Sequence, residues 1–160
     1  MGSFPTQITV HDQALPVRFH GARPRVGTVP LVLHFHGGAF TSGGLDSGDA
    51  VARLIADAGA VVVSLDYPLA PAHPFPQATD SGHAALSWVH KHRHKLAGEG
   101  APVFVAGEEA GGNLAAAIAM MSRDQRQPAL AGQILLSPML DPCLATASLR
   151  HAHAGPVGCI

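Results

Sequence analysis

The stretch from Pro102 to Met121 constrains the fold more than any other part of the chain. An apolar run, Pro102-Val103-Phe104-Val105-Ala106, leads into Gly107-Glu108-Glu109-Ala110-Gly111. A helical stripe follows, with Leu114, Ala117, Ile118 and Met121 on one face. A strand that passes between two glycines directly into a helix is a tight strand–turn–helix junction, and it lifts the residue between the glycines, Glu109, above the end of a sheet.

The same alternation runs through the chain. Leu31–Phe35 reads as a short apolar strand, and Ala60–Leu65 as a β-branched strand buried on both faces. Between them Val51, Leu54, Ile55 and Ala58 fall at helical spacing, on a helix that Gly59 closes. Pro68, Pro71, Pro74 and Pro76 forbid regular structure until about Ala78. A second helix then turns Ala85, Trp88, Val89 and Leu96 inward and ends at Gly98, and Gln133–Leu136 is the last strand. Ahead of all this, Gln7–Val10 and Pro16–Phe19 flank His11-Asp12-Gln13 as a hairpin, followed by a loop over 21–27. The pattern predicts an α/β fold, a mostly parallel sheet with helices on both faces. One domain spans 1–160: hairpin and loop over 1–29, core βαβ units over 30–141, and an irregular tail over 142–160.

Composition excludes some functions. A formal net charge of -1 gives no basic footprint for nucleic acid. No apolar run reaches membrane-spanning length. Met1-Gly2-Ser3-Phe4-Pro5-Thr6 matches a myristoylation pattern formally but lacks a second lipid signal. Two cysteines, Cys143 and Cys159, read as free thiols of a cytoplasmic protein. His90 and His94 stand at i, i+4 with no Cys or carboxylate ligand beside them, so a solvated basic helix end is expected and no metal site. No motif calls for a cofactor.

In parallel sheets the site lies outside the carboxyl ends of the strands. Three segments meet there: His34–Gly38, Asp66-Tyr67 and Glu108–Gly112. Their sequences are specific. His34-Phe35-His36-Gly37-Gly38-Ala39-Phe40, the loop from Asp66-Tyr67-Pro68 to Pro74-Phe75-Pro76, Gly107–Leu114, and Leu136–Asp141 together resemble the linked motifs of the hormone-sensitive-lipase-like α/β-hydrolases. That resemblance implies carboxylic-ester hydrolysis by Ser, His and Asp. It implies an oxyanion hole built from the N–H groups of Gly37, Gly38 and Ala110, and a substrate pocket around His36, Ala39, Phe40 and Tyr67.

The chain departs from that pattern where the chemistry would occur. Glu109 stands at the nucleophile position, and no Asp and His follow on later strands; only His151 and His153 come late, in an Ala/Gly/Pro-rich tail. Pro68 and Ala72 replace the Arg and Glu of the loop. A carboxylate nucleophile would still need a base to release its ester intermediate. The leading expectation is therefore a truncated, catalytically impaired member of an esterase/lipase lineage. Its Glu109 carboxylate should fold into the oxyanion hole, with Glu108 left as a solvated or capping acid. A residual or complemented ester hydrolase, and a non-catalytic small-molecule-binding or interaction protein, are the alternatives. Expected partners are a small ester-like or apolar ligand, and either a second copy of the chain or a complementing C-terminal half that covers the last strand.

Overall fold

The computed structural model describes residues 6–10, 12–141 and 143. In chain order the elements are β1 (Gln7–Val10), β2 (Gln13–His20), β3 (Leu31–Phe35), α1 (Asp49–Asp57), β4 (Val61–Leu65), α2 (Gln77–Ala97), β5 (Val103–Glu108), α3 (Ala110–Gln125) and β6 (Gly132–Leu136). They form a six-stranded sheet in the order β1-β2-β4-β3-β5-β6. The hairpin β1–β2 is antiparallel and joins β4 antiparallel, while β4, β3, β5 and β6 run parallel.

Alternation along each strand divides the core into two layers. Leu31, Leu33 and Phe35 of β3, with Val61, Val63, Leu65, Val103 and Val105, pack with Ala85, Leu86 and Val89 of α2 and Leu114 and Ile118 of α3. The intervening residues Val32, Val62 and Ala106 face Ala52 of α1. Helices thus cover both faces, as expected of strands whose residues are buried on both sides. Phe35 pairs with Leu65 on one side and Gly107 on the other, and Glu108 pairs with Leu136. The register therefore brings the loops after β3, β4, β5 and β6 together at one end of the sheet.

Two elements differ from the sequence expectation. On α1 the face turned to the sheet is Ala52, Ile55 and Ala56, whereas Leu54 is 65% exposed. The helix is rotated by roughly one residue, about 100°, because small alanines let it approach the sheet more closely than Leu54 would. The second strand is longer than Pro16–Phe19: it runs from Gln13, and its Leu15 and Val17 join Ile8 in the core. Among the described residues strand β6 is one of the sheet's two edges, with Ile134 37% exposed. No helix among the described residues is long and apolar enough to cross a membrane.

The packing yields a paired test. Ile118 is fully buried between α3 and the sheet and Met120, two residues on, is 55% exposed. Urea unfolding should show Ile118→Ala losing about 2–5 kcal/mol and Met120→Ala changing stability by no more than about 0.5 kcal/mol. Equal losses would contradict the assignment of the α3 core face.

Candidate functional site

The site is built on the junction of β5 and α3. Glu109 is the single residue between them, and its backbone lies at φ 51, ψ -114. A non-glycine residue held there costs on the order of 1–3 kcal/mol, so the surroundings must impose it. Close approach explains the flanking glycines. A Cβ on Gly107 would run into the Gly111 carbonyl, and one on Gly111 would run into the Phe35 carbonyl. The segment after β6 fixes the turn: Glu109 N–H donates to the Leu136 carbonyl (3.1 Å), and the Glu109 carbonyl accepts from Met139 N–H (2.9 Å). Asn113, on the first turn of α3, donates its side-chain amide to the Met139 carbonyl at 2.8 Å.

This geometry aims the Glu109 side chain at the loop after β3. Its Oε2 accepts from the N–H of Gly38 at 2.5 Å and of Ala39 at 3.1 Å. The loop turns sharply to present those donors, with φ 126 at Gly38, 53 at Ala39 and 61 at Phe40. Partial burial pushes the Glu109 carboxyl up, but bonds from the backbone N–H groups of Gly38, Ala39 and Ala110 outweigh it and hold the group below the ordinary 4.5. Glu109 is thus an anion at neutral pH.

The resemblance implied that the N–H groups of Gly37, Gly38 and Ala110 share one target. The structure brings Gly38 and Ala110 together on Glu109, adds Ala39, and turns Gly37 elsewhere. Gly37 N–H donates to Glu108 Oε1 at 3.3 Å, while Glu108 Oε2 lies 2.7 Å from His34 Nε2. Nδ1 of His34 in turn lies 3.1 Å from Ser64 Oγ on β4. Glu108 is therefore not the solvated or capping acid expected from its position; it braces three strands. His34 alternates onto the α1 face of β3, where a fully buried imidazole needs polar partners on both nitrogens. A histidine inside the apolar run Leu31–Phe35 was the available signal for this network, and it did not name Ser64.

Of the expected pocket residues, Phe40 lines a cavity of about 570 Å³ bounded also by Pro68, Phe75, Leu114, Ala117 and Met121. Ala39 contributes its N–H to Glu109. His36 and Tyr67 sit behind the loop, each 2% exposed. Their rings stack with centroids 4.3 Å apart, and the Tyr67 hydroxyl donates to the His36 carbonyl at 2.6 Å. Burial, then the charges of Glu109, Glu108 and Asp66, raise the Tyr67 hydroxyl far above its usual range, so it remains a donor. One further tie was not foreseen. Arg18 of β2 reaches Asp46 (2.7 Å), Asp49 (3.1 Å) and the Leu45 carbonyl (3.2 Å), anchoring the loop that continues from Ser42 into α1.

Among the described residues no three His, Cys, Asp or Glu side chains converge as a metal site. His90 meets Arg93, and His92 stacks on Trp88. Of the two buried imidazoles behind the loop, His34 is engaged by Glu108 and Ser64, and His36 holds Nδ1 2.7 Å from the Gly37 carbonyl oxygen and Nε2 3.9 Å from Asp66. His151, His153 and Cys159 lie outside the described residues.

Comparison with known proteins agrees with this architecture. The alpha/beta hydrolase fold family matches residues 32–157. Carboxylesterase NlhH of Mycobacterium tuberculosis is 40% identical over 144 residues, which are 89% of this chain and 45% of that protein. The hyperthermophilic esterase from the archaeon Pyrobaculum calidifontis superposes with a TM-score of 0.83 at 38% identity, over 94% of this chain and 49% of that one. Gibberellin receptor GID1B of Arabidopsis thaliana is 39% identical over 116 residues, 69% of this chain and 32% of the receptor. The chain therefore spans about half the length of the carboxylesterases it matches. It belongs to the alpha/beta hydrolase fold family, in its hormone-sensitive-lipase-like branch.

Proposed function

We propose that this chain descends from carboxylic-ester hydrolases and, as it stands, does not carry out their reaction. One observation carries the reading: Glu109 Oε2 rests on the N–H groups of Gly38 and Ala39, at 2.5 and 3.1 Å. In acyl transfer, donors in this position stabilise the oxyanion that develops in the transition state, and losing one costs roughly 10²–10³ in rate. Here they are occupied before any substrate arrives. The residue filling them also stands where the attacking hydroxyl would be, and its attack on an ester would have to expel an alkoxide to form a less stable mixed anhydride, an uphill step. The roles of Gly38, Ala39 and Ala110 as an oxyanion hole, and of Phe40 as a pocket wall, belong to this proposal.

A second reading is ligand binding without chemistry. The apolar cavity of about 570 Å³ beside the site favours it, and a hormone receptor stands among the relatives. We assign the chain to a reducing, cytoplasmic setting, consistent with the exposed free thiol of Cys143. We also propose that the β6 edge is covered by a second copy of the chain or by a complementing polypeptide, because Ile134 and Leu140 are 37% and 60% exposed next to an open row of strand hydrogen-bonding groups.

Two experiments test these statements. Hydrolysis of p-nitrophenyl acetate by the unmodified chain should stay near the buffer rate. Glu109→Ala and Glu109→Ser, which both empty the cradle, should rise together by ~10-fold or more. Saturable turnover by the unmodified chain that vanishes in Glu109→Ala would contradict the proposal, and a gain confined to the Ser variant would reveal an unrecognised base. Size-exclusion chromatography with light scattering should return a species larger than the monomer at micromolar concentration. A stable monomer would remove the self-association proposal.

A further inference from the structure

His20, the last residue of β2, is a buried imidazole apart from the Glu109 site. Its side chain is 7% exposed, and Nε2 is buried with no hydrogen-bond partner among the described residues. Asp49 Oδ1, on the first turn of α1, stands 3.9 Å away, beyond hydrogen-bond reach. That carboxylate already serves two guanidinium groups: Oδ1 accepts from Arg18 at 3.1 Å and Oδ2 from Arg53 at 2.5 Å. Buried ring nitrogens are ordinarily paired, so α1 closes on β2 at the cost of one unsatisfied nitrogen.

The surroundings favour a neutral ring. Arg18 is on its own strand, Asp49 and Arg53 are on α1, and His34 is on β3, while its neighbour in register on β4, Val62, carries no charge. Burial, joined by Arg53, Arg18 and His34, outweighs the attraction of Asp49 and holds the imidazole below its ordinary 6.5. The turn above it also covers the loop after β3. A Cβ on Gly48, which caps α1, would meet His34 Cε1 at 2.8 Å and His36 Cβ at 2.9 Å. Arg18 ties the segment over 41–48 to β2 through Asp46 and the Leu45 carbonyl.

We propose that His20 is an acid-sensitive latch: as a neutral ring it lets the first turn of α1 close on β2, and on taking up a proton it loosens that turn together with the loop over 41–48. The proton places a third cation beside the one Asp49 carboxylate, in a position closed to solvent. Its new N–H can reach Asp49 only by competing with Arg18 for the same oxygen, and Arg18 is what ties the loop. Opening the turn instead lets water solvate the imidazolium. The open form takes up its proton near 6.5 and the closed form only at lower pH, so the closed form loses stability as pH falls below 6.5. That window lies above the one in which Glu109, held below 4.5, loses its charge.

Amide hydrogen exchange of the whole chain at pH 7.5 and 5.5, each rate divided by the intrinsic rate at that pH, tests this. Protection of the α1 amides should fall about threefold or more on acidification, and that of α3 should change less. His20→Gln, which takes up no proton there, should flatten the α1 response. Arg53→Gln, at a side chain 69% exposed, removes an opposing cation and releases Asp49 towards His20, so the response should shrink. A flat α1 profile in the unmodified chain, a loss shared equally by α1 and α3, or a response that His20→Gln leaves intact would each overturn the proposal. Should His20→Gln fail to fold, the unmodified chain and Arg53→Gln decide: an acid response undiminished in Arg53→Gln overturns it as well. Esterase rates of the Glu109 variants have no bearing on these outcomes.

Discussion

The contact between the Glu109 carboxylate and the backbone N–H groups of Gly38 and Ala39 joins the two turns on which the whole site depends. One turn follows β3 and the other follows β5, and both carry backbone angles that their residues would not adopt alone. Backbone donors that converge on one point need an acceptor, and in water they would have one. In this chain the acceptor is internal. The same carboxylate that, in the proposed function, stands in the way of an incoming oxyanion also gives the strained loops around it a shared acceptor. The sign of the pKa displacement fits that role. A carboxyl held below 4.5 in the folded state contributes stability that is present above that value and lost as pH falls through the folded pKa.

Beneath this contact lies a second, deeper brace. His34 on β3, Ser64 on β4 and Glu108 on β5 link three neighbouring strands through side chains, and Glu108 extends the link to Gly37 N–H. Two adjacent glutamates thus serve opposite sides of the same loop. Glu108 faces the α1 side and holds Gly37, while Glu109 holds Gly38 and Ala39. Tyr67 supports the loop from behind through the His36 carbonyl. The loop after β3 is consequently held at four successive residues, and a cavity wall such as Phe40 is presented from a rigid support.

Much of this arrangement was legible in the chain itself. Apolar strands alternating with helical stripes fixed the parallel core, and the glycine pairs marked the turns that a Cβ would have blocked. The convergence of His34–Gly38, Asp66-Tyr67 and Glu108–Gly112 followed from strand direction alone. What escaped was whatever depends on side-chain reach across the sheet. Nothing local to Glu108 says that His34, seventy-four positions earlier, needs its oxygen. Periodicity likewise favoured Leu54 as a core residue, because hydrophobicity was weighed above size; the sheet took Ala52 instead. His36 and Tyr67 were read as pocket wall from their place in the motif, yet their stacking buries both behind the loop.

The central claim is that the charge of Glu109 occupies the N–H groups of the loop after β3. Proton NMR of the Gly38 and Ala39 amides across an acid titration tests it most directly. Both resonances should lie downfield at neutral pH and move upfield together with a shared midpoint below 4.5, and Glu109→Gln should abolish the transition. Amide shifts that do not titrate, or that titrate identically in the glutamine variant, would contradict the account.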